Sequence, residues 1–490
     1  MRSCRSSRRP AWARSRSSAT RRRSRRRRRP TATPTDPADA PPSKRSRFPA
    51  LESPVYRRLL AGNTLATLGA FMQATSQGWL VLELTNSPGL LGLLGAIAGL
   101  PTLFLAVIAG VLADRLDRRR LLAWSYAAAA VLSALLAVLT TTETVAYWHV
   151  AAIAFAGGVL FTVQMPASQA MVSTIVDRAA LGSAIALNSA QFNLMRIIGP
   201  SLAGFAIAAG GLALGFWANA VALGVVAVIF AGLTVPSNRQ AGRLQAALWG
   251  DLQDGVRHAA GDPILAALVL LAAAPALLVL SYLTFLPVYA RDILEIGAQG
   301  LGLLTGSIGV GALAGALFMA ARRPAGGSGR FVVGGLMAMG ISLATFAQST
   351  FVPLTCGALA LLGASQVAYY STTNTLIQVR VPARLRGRVH SLYVLTSIGL
   401  IPVGNLVAGA LAERVGVPNV LAVGGALTLA VAVLAAVLRP ELRRLRPERP
   451  AATGAGVVAT TAVSAAASAA ASAALAPPEP GRAPEVPVDA

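Results

Sequence analysis

Gly110-Val-Leu-Ala-Asp114-Arg115-Leu-Asp117-Arg118-Arg119-Arg120 closes one apolar run (90–112) and opens the next (120–140). It places six charges in eleven residues, whereas the runs hold no charge beyond Arg120 itself. Each run is about 20 residues long, the length that crosses a bilayer's hydrocarbon core as a helix. A charged knot between two such runs reads as a short aqueous loop joining two membrane helices.

Ten further runs of this kind follow outward from it, at 59–82, 147–170, 183–208, 212–234, 264–289, 300–320, 330–348, 352–376, 388–411 and 417–438. Alternate loops are rich in arginine (Arg115 to Arg120, Arg178, Arg239 to Arg257, Arg322 to Arg330, Arg380 to Arg388), and the opposite loops are not. Basic loops stay on the cytoplasmic side, which puts both termini there, and an even number of spans requires the same. The longest loop divides six spans from six. Two overlays suggest a repeat: a shift of 205 lays Gly182, Gly199 and Gly204 over Gly387, Gly404 and Gly409, and a shift of 210 lays Gly92 and Gly99 over Gly302 and Gly309. The expectation is an all-α membrane protein with 12 transmembrane helices in two six-helix bundles, as parallel repeats build them. Its divisions are a disordered Arg-rich cytoplasmic tail (1–54), an N-terminal bundle (55–234), a cytoplasmic linker (235–263), a C-terminal bundle (264–438) and a disordered Ala/Pro-rich tail (439–490). Within the linker, Leu244–His258 is patterned for an amphipathic helix.

Composition agrees. Of 490 residues, 54% are hydrophobic and 13% charged, with mean hydropathy +0.60, where soluble chains carry about a quarter charged residues. Two cysteines, Cys4 and Cys356, exclude a disulfide scaffold. The net charge of +24 is concentrated: residues 1–48 hold 17 of 43 basic and 2 of 19 acidic residues, hence +15. That arm reads as a solvated like-charge tail, a basic arm for nucleic acid or anionic lipid, or upstream sequence translated from an early start codon. No signal-peptide core follows it. The uncharged stretch 451–475 is rich in alanine and serine, too weakly apolar for a further span.

The sequence of this loop resembles the major facilitator superfamily, whose corresponding loop carries G-x-L-A-D-R-x-G-R-R/K. Gly110, Leu112, Ala113, Asp114, Arg115, Arg118 and Arg119 match, and Asp117 stands where the family has glycine. The variant is similar to the transmembrane secretion effector branch of enterobactin exporters and macrolide efflux proteins. So are Trp79-Leu-Val-Leu-Glu-Leu-Thr, Asn188-Ser, Gly199-Pro200, Leu286-Pro-Val-Tyr-Ala-Arg-Asp and Arg386-Gly-Arg-Val. The resemblance covers about 55–438. It implies a bacterial cytoplasmic-membrane carrier that works by alternating access. It also implies that Asp114 latches the two bundles against the helix beginning near Gly387–His390, with Arg118 completing the charge network. Physically, a carboxylate at its own helix's C-terminus opposes the dipole and needs a partner.

Arg196 is the one clear charge inside a span. A charge at the bilayer centre costs at least about 2.5–3.5 kcal/mol, so it is expected to face a wet cavity or an acid, Glu83 and Asp177 being nearest in sequence. Glu83 is also the candidate for proton coupling, its alternative being a solvated cap. The remaining cavity candidates are Gln73, Gln77, Gln164, Tyr282, Tyr369 and Asn374, with Gln366 and Tyr370 beside them; interhelical hydrogen bonding is the alternative for each. Gly309-Val-Gly311-Ala-Leu-Ala-Gly315 imitates a dinucleotide fingerprint but lies inside an apolar span, where it reads as helix packing. No Walker A sequence, metal-ligand cluster or nucleophile elbow is present. The expectation is a monomeric carrier, not an enzyme, without metal or cofactor, whose partners are a small-molecule substrate, protons and the lipid bilayer, with no nucleic acid. The substrate reads as a drug or siderophore-like molecule exported by proton antiport. An importer and a non-transporting receptor or anchor are the alternatives.

Overall fold

The computed structural model describes residues 48–177, 179–233, 248–321, 328–382 and 385–445. Long helices dominate them: α1 (Pro54–Thr85), α2 (Pro88–Arg115), α3 (Arg118–Thr141), α4 (Tyr147–Ile175), α5 (Leu181–Ala231), α6 (Leu248–Gly261), α7 (Pro263–Leu271), α8 (Tyr282–Val288), α9 (Gly297–Ala321), α10 (Ser328–Gln348), α11 (Val352–Arg380), α12 (Arg386–Val394), α13 (Ile401–Val415), α14 (Val417–Leu438) and α15 (Pro440–Arg444). π-helical turns at Pro275–Val279, Tyr289–Ile293 and Leu395–Gly399 interrupt the apolar stretches that α7–α8 and α12–α13 share. Among the described residues, ten helical segments are long and apolar enough to cross a membrane. The outer surface is apolar as well: Phe104, Trp124, Val228 and Leu270 are 70–76% exposed.

Several helices begin before their apolar run because polar residues cap them. Ser53 accepts the backbone N–H of Tyr56 at 3.2 Å, with Pro54 opening α1; Ser87 does the same for Leu90 at 3.1 Å ahead of Pro88. Hydrophobicity therefore places the start of α1 five residues late. The break in α5 falls at Gly210–Gly211, where Gly211 adopts φ +76°, a left-handed conformation that glycine takes without steric cost. The chain reverses there. Along the first part of α5, Ala184 accepts from Tyr56 and Gly199 abuts Phe71, a parallel register with α1. Along the second, Gly215, Asn219 and Phe230 meet Ser76, Gly69 and Gly62, an antiparallel one.

Two stretches inside the expected tails carry structure. Pro49–Glu52 forms a 3-10 turn with Ala50 buried, and α15 packs Leu442 over Gly329. From Leu248 onward the amphipathic linker segment is helical as α6, residues 244–247 lying outside the described residues, and Gly255 rests on Arg388 of α12. Residues 1–47 and 446–490 lie outside the described residues.

α7 is anchored by Asp262, whose carboxylate accepts the N–H groups of Ile264 (3.0 Å) and Leu265 (3.3 Å) and forms a two-pronged ion pair with Arg380 at the end of α11, one contact at 3.1 Å. Partial burial raises the carboxyl pKa, but the Arg380 hydrogen bond and the two amides outweigh it and hold it below the usual carboxylate range. A depressed pKa stabilises the folded state above about pH 4, the ordinary carboxylate value, and that stability is lost as pH falls through the folded-state pKa. Asp262→Asn is therefore expected to lower thermal stability at neutral pH by up to about 1 kcal/mol, the scale of partly exposed ion pairs. The difference from the parent should close as pH falls below about 4. A deficit that does not change with pH would refute this account.

Candidate functional site

The helices of the two halves meet along two seams. α2 and α13 run antiparallel with glycine against glycine: a Cβ on Gly92 would sit 2.6 Å from Gly409 Cα, one on Gly99 2.5 Å from Pro402, and Gly95 faces Asn405. α5 and α9 form the second seam, where Gly204 meets the Ala298 carbonyl and Ser201 donates to the Gly302 carbonyl at 3.2 Å. Both seams are tight toward the end away from the arginine-rich loops. Two charged clasps close that same end. Glu413, the last acid of α13, accepts from Ser87 Oγ and from the Gly89 N–H, both at 2.8 Å, so an anion sits on the N-terminus of α2. Arg291 donates to the Leu82 carbonyl at 2.7 Å and to Asn86 Oδ1, capping the C-terminus of α1 while pairing with Asp292.

At the arginine-rich end, Asp117, standing where the family has glycine, is the N-cap of α3 with φ −63° and ψ 107°, accepting from the N–H groups of Arg119 (3.0 Å) and Arg120 (3.4 Å). Arg118 donates to Thr174 Oγ1 (3.1 Å) and the Ala170 carbonyl (3.4 Å) of α4. Arg119 donates to the Leu233 carbonyl at 3.0 Å, just past α5. These two arginines thus tie the loop to the C-terminal ends of its neighbours, where cations are favoured. Gly110, Asp114 and Arg115 occupy the last turns of α2, and their side chains lie outside the described residues.

Midway along the first part of α5, Arg196 is half-buried, and its guanidinium faces the hydroxyl of Tyr282 at the start of α8. Tyr282 is fully buried and accepts from Gln366 Nε2 at 3.4 Å. Tyr370 lies within reach of the same charge, and the fully buried Tyr369 packs edge-on against it with centroids 5.3 Å apart. Helices from both halves converge here, and the π-turn at Pro275–Val279 precedes Tyr282 directly. Such turns recur at functional sites.

The other candidates separate. Gln73 joins a packing network, its Oε1 accepting from Ser133 Oγ (2.9 Å) and Asn219 Nδ2 (2.6 Å), which ties α1 to α3 and the second part of α5. Gln77 is buried, and Gln164 Nε2 is buried with no partner among the described residues. Asn374 accepts from Gln378 one turn on, at 2.9 Å. Glu83 is exposed and accepts from Trp79 Nε1 at 2.6 Å; Asp177 is exposed as well, and among the described residues neither pairs with Arg196. A groove of about 850 Å³ between α5, α9 and α11 opens on the apolar surface between the exposed Phe205, Leu303 and Val310, so it is a lipid-facing crevice.

The sequence profile described as "Transmembrane secretion effector" matches residues 45–453. The chain belongs to that family. It is a multi-pass membrane transporter of the major facilitator superfamily. The transporter is 28% identical to the multidrug efflux pump Tap of Mycolicibacterium fortuitum over 75% of its own length and 91% of Tap's. It is 27% identical to Tap of Mycobacterium tuberculosis over 79% and 94%. It is 32% identical to the staphyloferrin A transporter of Staphylococcus aureus, but over 29% of this chain, which spans about a third (36%) of that relative's length. In fold it is similar to a bacterial homologue of the lysosomal transporter Spinster in an inward-facing, unoccupied conformation (TM-score 0.65, 13% identity, 81% of this chain, 99% of that one). A D-xylose-proton symporter is comparable (TM-score 0.63, 13% identity, 81% and 100%).

Sequence reasoning about the transporter missed two groups. Glu413 is not among the sequence candidates, although it lies one turn beyond Gly409, the glycine that packs on Gly92. Asn219, an isolated amide in an apolar run, was the signal for the Gln73 network.

Proposed function

We propose that this transporter exports a small organic molecule, a drug or a siderophore-like compound, from the bacterial cytoplasm by alternating access. Counting α1 and splitting α5 at Gly210–Gly211 gives twelve spans, arranged as bundles over 55–234 and 264–438 that rock as a monomer about the level of Arg196, with both termini cytoplasmic. The observation that carries this reading is the closure of one end by the α2–α13 and α5–α9 seams with the Glu413 and Arg291 clasps. Under the basic-loop rule that end is external, so the conformation is the one that loads from inside. Asp114 is then the latch of the opposite state, and exchange with protons supplies the drive. The Tap relatives, multidrug efflux pumps by name, support export and the breadth of substrate.

The test is accumulation of labelled dyes, anionic and cationic, and of a labelled macrolide in cells expressing the chain, with and without a protonophore. Expected is lower accumulation that the protonophore abolishes and that Asp114→Asn raises to the empty-vector level at equal membrane abundance. Higher accumulation than in empty-vector cells would make it an importer, and efflux indifferent to the protonophore would remove proton exchange.

A further inference from the structure

Arg196 lies 15 residues from the start of the first part of α5 and 14 from its break, so at 1.5 Å per residue it stands about 21–23 Å from either end. That is the centre of the bilayer, where a fixed charge is most costly. The groups around it do not neutralise it. Among the described residues the ion pairs are Arg120–Asp117, Arg291–Asp292 and Arg380–Asp262, all at helix ends. Glu83 and Glu413 belong to the far end, held by Trp79 and by α2. What surrounds Arg196 is neutral: the Tyr282 hydroxyl is beside its charge, Gln366 donates to that hydroxyl at 3.4 Å, and Tyr370 lies in the same buried group.

These neighbours are also rich in donors. The Tyr282 hydroxyl receives the Gln366 amide and faces the guanidinium, which leaves its own proton to give. The Tyr370 hydroxyl is buried and finds no partner among the described residues. A guanidinium flanked by hydroxyl donors matches a group that brings only acceptors and a negative charge, and arginine's fork fits two oxygens at once.

We infer that Arg196, with Tyr282 and Tyr370, forms an anion subsite, and that the transported solute carries a carboxylate or comparable oxyanion that it binds at mid-membrane. This rests on the transport reading above and narrows its substrate to amphipathic organic anions. A phospholipid headgroup offers the same oxyanion chemistry but lies a half-bilayer away from Arg196, which favours a dissolved solute.

The test uses the full chain in phosphatidylcholine nanodiscs, titrated with carboxyfluorescein and with the cationic xanthene rhodamine 6G, read by fluorescence anisotropy. Expected is at least about tenfold tighter binding of the anionic dye. Arg196→Gln should abolish the preference and Arg196→Lys should retain part of it, because the charge survives without the fork. Equal affinities for the two dyes in the unaltered chain would overturn the inference, whatever the variants do. So would a preference that survives Arg196→Gln in monodisperse protein. Displacement of carboxyfluorescein by added phosphatidylglycerol would overturn the assignment to a dissolved solute. Efflux of the same dye from loaded cells separates the two readings: binding without efflux removes export and leaves the subsite, while efflux of both dyes at equal affinity removes the subsite and leaves export.

Discussion

Gly92→Leu is expected to cut transport about fivefold or more while the protein still reaches the membrane. Any Cβ at position 92 would lie 2.6 Å from Gly409 Cα and 2.7 Å from the Asn405 carbonyl, so the backbones of α2 and α13 have to part. Overpacking of this kind costs about 1–3 kcal/mol, and about 1.4 kcal/mol is a factor of ten in an equilibrium. In the proposed cycle the whole cost falls on the conformation with this end closed, because the opposite conformation would separate the two helices. Alternating access needs both conformations, so a shift of this size slows the cycle. Gly92→Ala meets the same atoms with less bulk and should fall between. Flux into inverted vesicles, normalised to membrane abundance, decides it: normal flux in Gly92→Leu would mean that the seam is not a gate.

The second large effect is on stability. Gln73→Leu removes the acceptor shared by Ser133 and Asn219 in the middle of three helices. Ser133 keeps the Phe216 carbonyl at 2.9 Å, and Asn219 keeps Ser133 at 3.1 Å, so the loss falls mainly on the Asn219 amide. A buried donor left short costs about 1–3 kcal/mol in water-soluble cores, and measured membrane hydrogen bonds reach at most about 1.7 kcal/mol. A loss of about 1–2 kcal/mol is expected, read as a lower unfolding temperature in detergent. The set of transported compounds should stay the same. An altered substrate profile at unchanged stability would return Gln73 to the cavity.

Most of the candidate site was visible as residue types and much less as partners. Arg196 stood out because one arginine in an apolar run has few innocent explanations, and Tyr282, Gln366 and Tyr370 were noted as polar members of spans that converge. Their convergence on one guanidinium depends on how α5, α8 and α11 rotate about their axes, which hydropathy does not encode. Gln73 shows the reverse. Its polarity was as conspicuous as that of Gln366, yet its face of α1 turns toward α3 and the second part of α5. Only the packed register separates an interhelical hydrogen bond from a binding group.

The sequence by itself determined the helical segments to within a few residues, the reversal at Gly210–Gly211 and the family, through the charged loop around Asp114. Those follow from local chemistry: apolar length against bilayer thickness, caps, and a glycine conformation. The tertiary structure decided which end is shut, that Glu413 holds the N-terminus of α2, and that Arg118 and Arg119 grip α4 and the end of α5. These depend on contacts between residues as much as 326 positions apart, as for Ser87 and Glu413. A charge at a loop looks the same in sequence whether water or a helix end receives it. Packing supplies the difference, because it alone fixes which backbone groups remain open for that charge to meet.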